Sequence, residues 1–273
     1  MSKVITCPSG LQGEIRTLTG AELKLFGNRK LARTGQTFTD ILKGCWLATV
    51  DPGPYGKSGT DAAGKVPPPD WSKVLTGDLM FAFIEIRKLG WGSPYDFTFQ
   101  CANRSCRQDH PDSTAWSVQL DDLKVRVLTP YLRRAFMDGN RVPYMFGGVP
   151  VAYRLMTWAD EREAAGHLER YGEDDDNRVL AAMAERLVEV EGNPLARLDR
   201  IEWLNGMPAP DITDFQEHLL ETDPGPVTGI DVQCKFCKGL IHIDLPFGES
   251  WFKRARKAPP SGDSSAGSAS TTS

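Results

Sequence analysis

Cys101-Ala102-Asn103-Arg104-Ser105-Cys106 and Cys234-Lys235-Phe236-Cys237, the latter followed by Lys238-Gly239, decide the architecture of this 273-residue chain. Two cysteines separated by two to four residues on a turn aim both thiolates at one point. Two such turns, brought together, make a tetrahedral four-sulfur site suited to zinc. Iron remains a competitor, because tetrahedral sulfur suits it as well. A metal held by Cys101, Cys106, Cys234 and Cys237 would clasp residues 107–233 at their root. Four thiolates fill the coordination shell, so the zinc expected here is structural, with no open position for substrate. His110 and His242 lie close to the pairs and are the candidates to replace a cysteine. His110 follows Gln108-Asp109 in a polar stretch. His242 sits between Ile241 and Ile243 on a strand and points away from both, so neither is expected to ligate.

The residues around each pair read as strands. Tyr95–Gln100 alternates apolar and polar residues and leads into Cys101, and Thr114–Leu120 returns from Cys106. Gly229–Gln233 leads into Cys234, and Leu240–Leu245 leaves Cys237. Strand, cysteine turn, strand is the half-site of a zinc ribbon. Gly239 is expected to take the positive φ often needed after a second ligand.

Further out the pattern is helical. Thr19-Gly20-Ala21-Glu22 has the form of a capping box, predicting a helix to about Leu31. Phe38, Ile41, Leu42, Cys45 and Trp46 predict a second helix over 37–48. Leu79, Met80, Phe83, Ile84 and Ile86 predict a third over 76–89, stopped by Gly90. Residues 1–20 read as an extended arm with one short strand. A strand is expected at 149–156, a helix starts at Thr157, and three short helices are expected over 177–190, 195–205 and 211–221.

The fold class expected is therefore α+β. It combines a bipartite four-cysteine, zinc-ribbon-like β unit with a helical N-terminal part and a helical insertion between the cysteine pairs. The chain divides into five stretches. Residues 1–92 hold the arm and helices, with a Pro/Gly-rich loop at 51–70. Residues 93–122 are the first half of the ribbon, and 123–228 a mixed, then helical, insertion. Residues 229–257 are the second half with a basic turn, and 258–273 a Ser-rich tail that cannot bury apolar surface.

Composition narrows the function. Hydrophobic residues make up 40% and charged residues 25%, ordinary for a globular chain. No run approaches the roughly 20 apolar residues of a membrane span. Met1–Pro8 shows no apolar core of a secretory signal, so a cytosolic setting is expected, and there paired cysteines favour metal over disulfide. The net charge of −4 and pI of about 5.7 give no global basic footprint for nucleic acid. The basic cluster Lys253-Arg254-Ala255-Arg256-Lys257 keeps one alternative open, a zinc-ribbon protein that binds nucleic acid. Against it, the ribbon strands and the first turn carry Asp96, Asp109, Asp231 and Asp244.

Catalytic groupings are sparse. Asp174-Asp175-Asp176 reads as a solvated loop favouring the next helix N-terminus. His167 and His218 stand alone on helices without a nearby nucleophile. An enzyme assembled from these distant residues is a third, weaker alternative. Phosphate-binding glycine motifs are absent. Cys7 and Cys45 are unpaired, and Cys45 sits on an apolar helical face as a small core residue.

One order of features is distinctive: Pro8-Ser9-Gly10 with Gly13-Glu14-Ile15-Arg16, then Thr76-Gly77-Asp78 opening a helix that ends near Arg87. An aromatic strand into Cys101 and Cys106 follows, then Val151–Arg154 before a helix, Gly229-Ile230-Asp231 before Cys234 and Cys237, and finally Leu245-Pro246-Phe247 and Trp251-Phe252. Over roughly residues 5–253 this resembles the baseplate protein family of T-even-type contractile-tailed phages, the baseplate hub assembly or tail assembly chaperone proteins. The first pair departs from the commoner C-x2-C form. The resemblance implies a non-enzymatic assembly factor or minor structural component. Its partners would be tape measure, tail tube or baseplate hub proteins, met in the host bacterial cytoplasm during virion assembly or in the baseplate.

Overall fold

A computed structural model describes residues 1–27, 35–56, 66–169, 171, 177–247 and 249–252. The Asp174–Asp176 run, the Lys253–Lys257 cluster and the 258–273 tail lie outside the described residues, as does part of the 51–70 loop. Helices and strands are mixed throughout.

The N-terminal arm is an antiparallel pair, β1 (Ser2–Thr6) and β2 (Gln12–Arg16), closed by the turn at Pro8-Ser9-Gly10. Helix α1 (Gly20–Leu23) starts where expected, with Thr19 and Glu22 forming the capping box. It gives way after one turn to a 3-10 segment, Lys24–Gly27, and the expected extension to Leu31 passes outside the described residues. Helix α2 (Gln36–Cys45) is shorter than the sequence predicts. Trp46 leaves it with extended backbone and opens β3 (Trp46–Asp51), which pairs with β2. The helical period through Trp46 misled because this residue is buried from the strand, its indole N–H donating to Thr49 Oγ1 at 3.0 Å. The N-terminal part is thus a three-stranded sheet, β1-β2-β3, with helices, and not a helical unit alone.

Helix α3 (Thr76–Trp91) runs through the centre. It buries Leu79, Ala82, Phe83, Ile84 and Ile86, and also Asp78, Glu85 and Arg87. Gly90 does not stop it. A Cβ at Gly90 would lie 2.4 Å from Thr17 Oγ1, so this glycine permits close packing on the arm. The stop is Gly92, at φ 81°, whose N–H bonds to the Lys88 carbonyl.

Strand β4 (Pro94–Phe99), the short helix α4 (Arg104–Asp109) and β5 (Thr114–Gln119) follow, with β4 and β5 paired antiparallel. Strand β6 (Val125–Arg126) opens the insertion. Helix α5 (Pro130–Met137) precedes the hairpin of β7 (Val142–Phe146) and β8 (Val149–Tyr153). Helix α6 (Trp158–Leu168) carries a second capping box, Thr157 with Asp160. Helix α7 (Asn177–Arg186) ends before β9 (Leu187–Val190), where a continuous helix is predicted. Glu189 lies opposite Ala152 in the β8–β9 pair, and Val190 opposite Val151, so cross-strand pairing overrides helical propensity there. After β10 (Asn193–Pro194) come helices α8 (Arg197–Asn205) and α9 (Ala209–Thr222).

The insertion is therefore not only helical. It holds a four-stranded sheet, β10-β9-β8-β7, and a core of its own in which Leu132, Phe146, Tyr153, Leu204 and Phe215 pack together. It is closed by β11 (Gly225–Pro226), which pairs with β6. Strands β12 (Gly229–Gln233) and β13 (Leu240–Asp244) then pair antiparallel. The final turn places Trp251 and Phe252 against Phe83 of α3, Trp251 stacked at 6.1 Å between ring centroids and Phe252 edge-on at 5.2 Å.

Candidate metal centre

Both cysteine pairs are delivered by antiparallel strands, as the sequence implies. Strand β4 buries Tyr95, Phe97 and Phe99 in the main core, which fixes where Cys101 emerges at its end. The first turn is built differently from a hairpin knuckle. Asn103 accepts hydrogen bonds from the backbone N–H of Ser105 at 3.0 Å and of Cys106 at 3.2 Å, capping α4. Cys106 thus rides on the first turn of a short helix, which accounts for the four intervening residues. In the second turn the Cys234 N–H bonds to the Gly239 carbonyl, and the Lys238 N–H to the Cys234 carbonyl, each at 3.0 Å. The left-handed residue is Lys238, at φ 59°, and not Gly239. A Cβ at Gly239 would lie 3.4 Å from Cys237 Sγ, an ordinary contact.

The four side chains converge. Cys101 Sγ lies 3.6 Å from Cys237 Sγ, and Cys106 Sγ lies 3.8 Å from Cys234 Sγ. All four sulfurs are within 4.8 Å of one another. A tetrahedron with metal–sulfur bonds of about 2.3 Å has edges of about 3.8 Å. A disulfide needs sulfurs at about 2.05 Å, so these are four free thiols arranged as a metal shell and not two bridges. Cys101, Cys106 and Cys234 are buried, and Cys237 is exposed. The four cysteines could hold one metal ion.

The thiols differ electrostatically. Backbone N–H groups of Cys237 and Phe236 aim at the Cys234 sulfur and pull its pKa down to about 6. Burial, and then the neighbouring thiols Cys237, Cys234 and Cys101, push Cys106 up to about 12. Cys101 is raised as well, first by burial. A cation in the middle would favour the thiolate form of all four.

Neither histidine joins the shell. His110 stacks flat on Phe236, with ring centroids 4.3 Å apart, tying the first turn to the second. His242 Nδ1 pairs with Asp231 Oδ1 at 3.0 Å on the exposed face of the β12–β13 pair. A third contact, the buried Thr114 hydroxyl 3.9 Å from Cys234 Sγ, has no local signal in the sequence. Only the β4–β5 register, which pairs Thr114 with Phe99, brings it there.

Among the described residues, His167 and His218 fall in separate clusters. His167 Nδ1 lies 3.0 Å from Glu185 Oε1, and Arg197 Nε reaches the same oxygen at 2.5 Å. His218 Nε2 meets the Tyr153 hydroxyl at 3.0 Å, and its ring stacks on Tyr144. Cys45 is buried within the main core, and so is Cys7. No helix among the described residues is long and apolar enough to cross a membrane.

Comparison of the chain with protein-family models, with curated proteins and with solved structures gives no match.

Proposed function

We propose that Cys101, Cys106, Cys234 and Cys237 bind one structural zinc ion in a bipartite ribbon. We propose further that the chain is a non-enzymatic assembly factor or minor structural component of a phage-like contractile tail, working through contacts with tape measure, tail tube or baseplate hub proteins. The observation that carries the first part is the near-tetrahedral spacing of four sulfurs drawn from turns on either side of residues 107–233. The second part rests on the ordered resemblance. Supporting it, two of the segments that carry the resemblance meet in space, for Ser9 of Pro8-Ser9-Gly10 is bonded to Asp78 of Thr76-Gly77-Asp78. A clasped root leaves the outer faces of the insertion free to hold a partner without the frame opening.

Zinc-binding energy is folding energy at such a site, roughly 10–16 kcal/mol for isolated finger peptides near pH 7. Only part of that would appear as net stability here, because both flanking sheets pack on a larger core. The test has two parts. Protein purified without chelator should contain one zinc per chain, with the four thiols protected from a thiol reagent until chelator is added. It should then capture a tail component on co-expression, and lose that capture when Cys234→Ser removes the metal. Metal-free protein with four reactive thiols overturns the clasp. Zinc-loaded protein that captures none of the three classes of tail protein overturns the assembly reading and leaves the clasp standing.

A further inference from the structure

Helices α6, α7 and α9 wall a cavity of about 400 Å³ in the insertion. The lining follows helical spacing: Val179, Ala182, Met183 and Arg186 from α7, and Leu219 and Leu220 from α9. Two of these are large apolar side chains facing solvent, Val179 at 49% and Leu220 at 58% exposure. A groove with an apolar floor and an apolar rim is unfinished surface for a soluble domain.

One polar group in it has no counterpart. Glu161 of α6 is half-buried and lines this cavity and two neighbouring ones, of about 210 and 720 Å³. Among the described residues its carboxylate makes no hydrogen bond and no ion pair. Burial raises its pKa, and Arg186 opposes that only in part. The nearby cations are already engaged. Arg186 holds Asp223 through two bonds, at 2.7 and 2.6 Å. Arg178 donates to the carbonyls of Leu168 and Tyr171 at 3.2 Å. A half-buried carboxylate with no cation of its own can take one from elsewhere.

We infer that this groove receives a basic amphipathic helix of a partner protein, whose apolar face fills the cavity and whose lysine or arginine pairs with Glu161. The inference deepens the assembly reading, on which it rests for the partner being a protein, by naming the partner's chemistry. Three helical walls with side chains at three- and four-residue spacing match the ridges of a fourth helix, and the unpaired Glu161 carboxylate selects one that carries a cation.

The probe is a displayed library of helical peptides, apolar at i, i+3, i+4 and i+7 and randomised elsewhere, selected against the full zinc-loaded chain. Selected peptides should carry a lysine or arginine at one fixed position. Their affinity should fall tenfold or more on Glu161→Gln, and binding should vanish on Ala182→Trp, which fills the groove from an exposed position. Glu161→Gln should also raise the thermal midpoint of the peptide-free protein, because it removes an unpaired carboxylate. An unselective outcome, peptides without a basic residue, binding indifferent to either substitution, or a lowered midpoint each overturn the inference. Capture of a tail protein by wild type and Ala182→Trp alike would overturn it too, while leaving the assembly reading intact. Selected basic peptides without capture of any tail protein would support the groove and count against the assembly reading.

Discussion

Ser9 donates both its backbone N–H, at 2.9 Å, and its hydroxyl to the fully buried carboxylate of Asp78. The Tyr55 hydroxyl donates to the same group at 2.7 Å and accepts from the Leu75 N–H at 3.2 Å. One carboxylate thus fixes the arm turn, the start of the central helix and the 3-10 turn around Tyr55. Asp78→Ala strands three donors and should cost about 3–5 kcal/mol, whereas Ser9→Ala removes the hydroxyl's bond to Asp78 and a long one it accepts from the Leu11 N–H and should cost about 1–2 kcal/mol. Because the two share a network, the double variant should fall short of their sum. Urea midpoints of the three variants check this.

Acid sensitivity should come from another carboxylate. Glu22 is bonded first of all by Arg16, at 2.6 Å, and also by the N–H and hydroxyl of Thr19, which hold its pKa near 2 against an ordinary 4.5. Its folded pKa is depressed, so its contribution is present above about pH 4.5 and is lost as pH falls toward 2. Asp78 has the opposite sign. Burial raises its pKa, so its protonation favours the folded state and it does not drive acid unfolding. Glu22→Gln should therefore flatten the decline in stability between about pH 4.5 and 2, measured as urea midpoint against pH.

Gly77 shows how much of the root of the insertion depends on backbone approach. A Cβ there would stand 1.7 Å from the Pro224 carbonyl oxygen, which belongs to rigid backbone leading into β11. Gly77→Ala must push α3 away from the β6–β11 pair and should cost about 3 kcal/mol or more, the upper end for overpacking. Hydrogen exchange should then show faster opening at Val125–Val127 and Gly225–Val227 than in the rest of the insertion.

The four-cysteine site was legible because spacing on turns is local information, and so were the capping box at Thr19 and the helix start at Thr157. What the sequence hid was decided by distant partners. Trp46–Ala48 and Leu187–Val190 continue a helical period, yet become strands because β2 and β8 offer them ladders. Gly90 and Gly239 are the glycines the sequence offers for backbone roles that the neighbouring Gly92 and Lys238 perform. Asp78 reads as an ordinary acidic first-turn residue, and only the fold brings Ser9 and Tyr55 to it. Arg87 likewise reads as a basic residue near a helix end.

That arginine is fully buried without a carboxylate. Its Nε donates to the Trp251 carbonyl at 3.0 Å, Nη2 to the Pro94 carbonyl at 2.7 Å, and Nη1 to the Gly92 carbonyl. Its guanidinium also lies 5.3 Å from the Tyr95 ring centroid and 5.5 Å from that of Trp251. One planar group ties α3 to the 92–94 stretch and to the final turn at Trp251. Arg87→Met should cost roughly 3–5 kcal/mol, and Arg87→Lys should recover less than half, since an ammonium cannot span three carbonyls in that fork. Urea midpoints of the two variants read both.

The second cysteine turn gives a test in the stabilising direction. Lys238 holds φ 59° immediately after Cys237, a conformation that costs a side-chain-bearing residue free energy and glycine none. Its N–H bonds to the Cys234 carbonyl, a contact any residue can make. Lys238→Gly should therefore keep the metal stoichiometry and raise stability by about 0.5–1 kcal/mol, less the entropy glycine adds to the unfolded chain. Gly239→Ala, with its new Cβ 3.4 Å from Cys237 Sγ, should leave zinc content unchanged. Thermal midpoints and zinc content for the two variants separate the positions. A drop in midpoint for Lys238→Gly, or loss of zinc in Gly239→Ala, would return the left-handed role to Gly239.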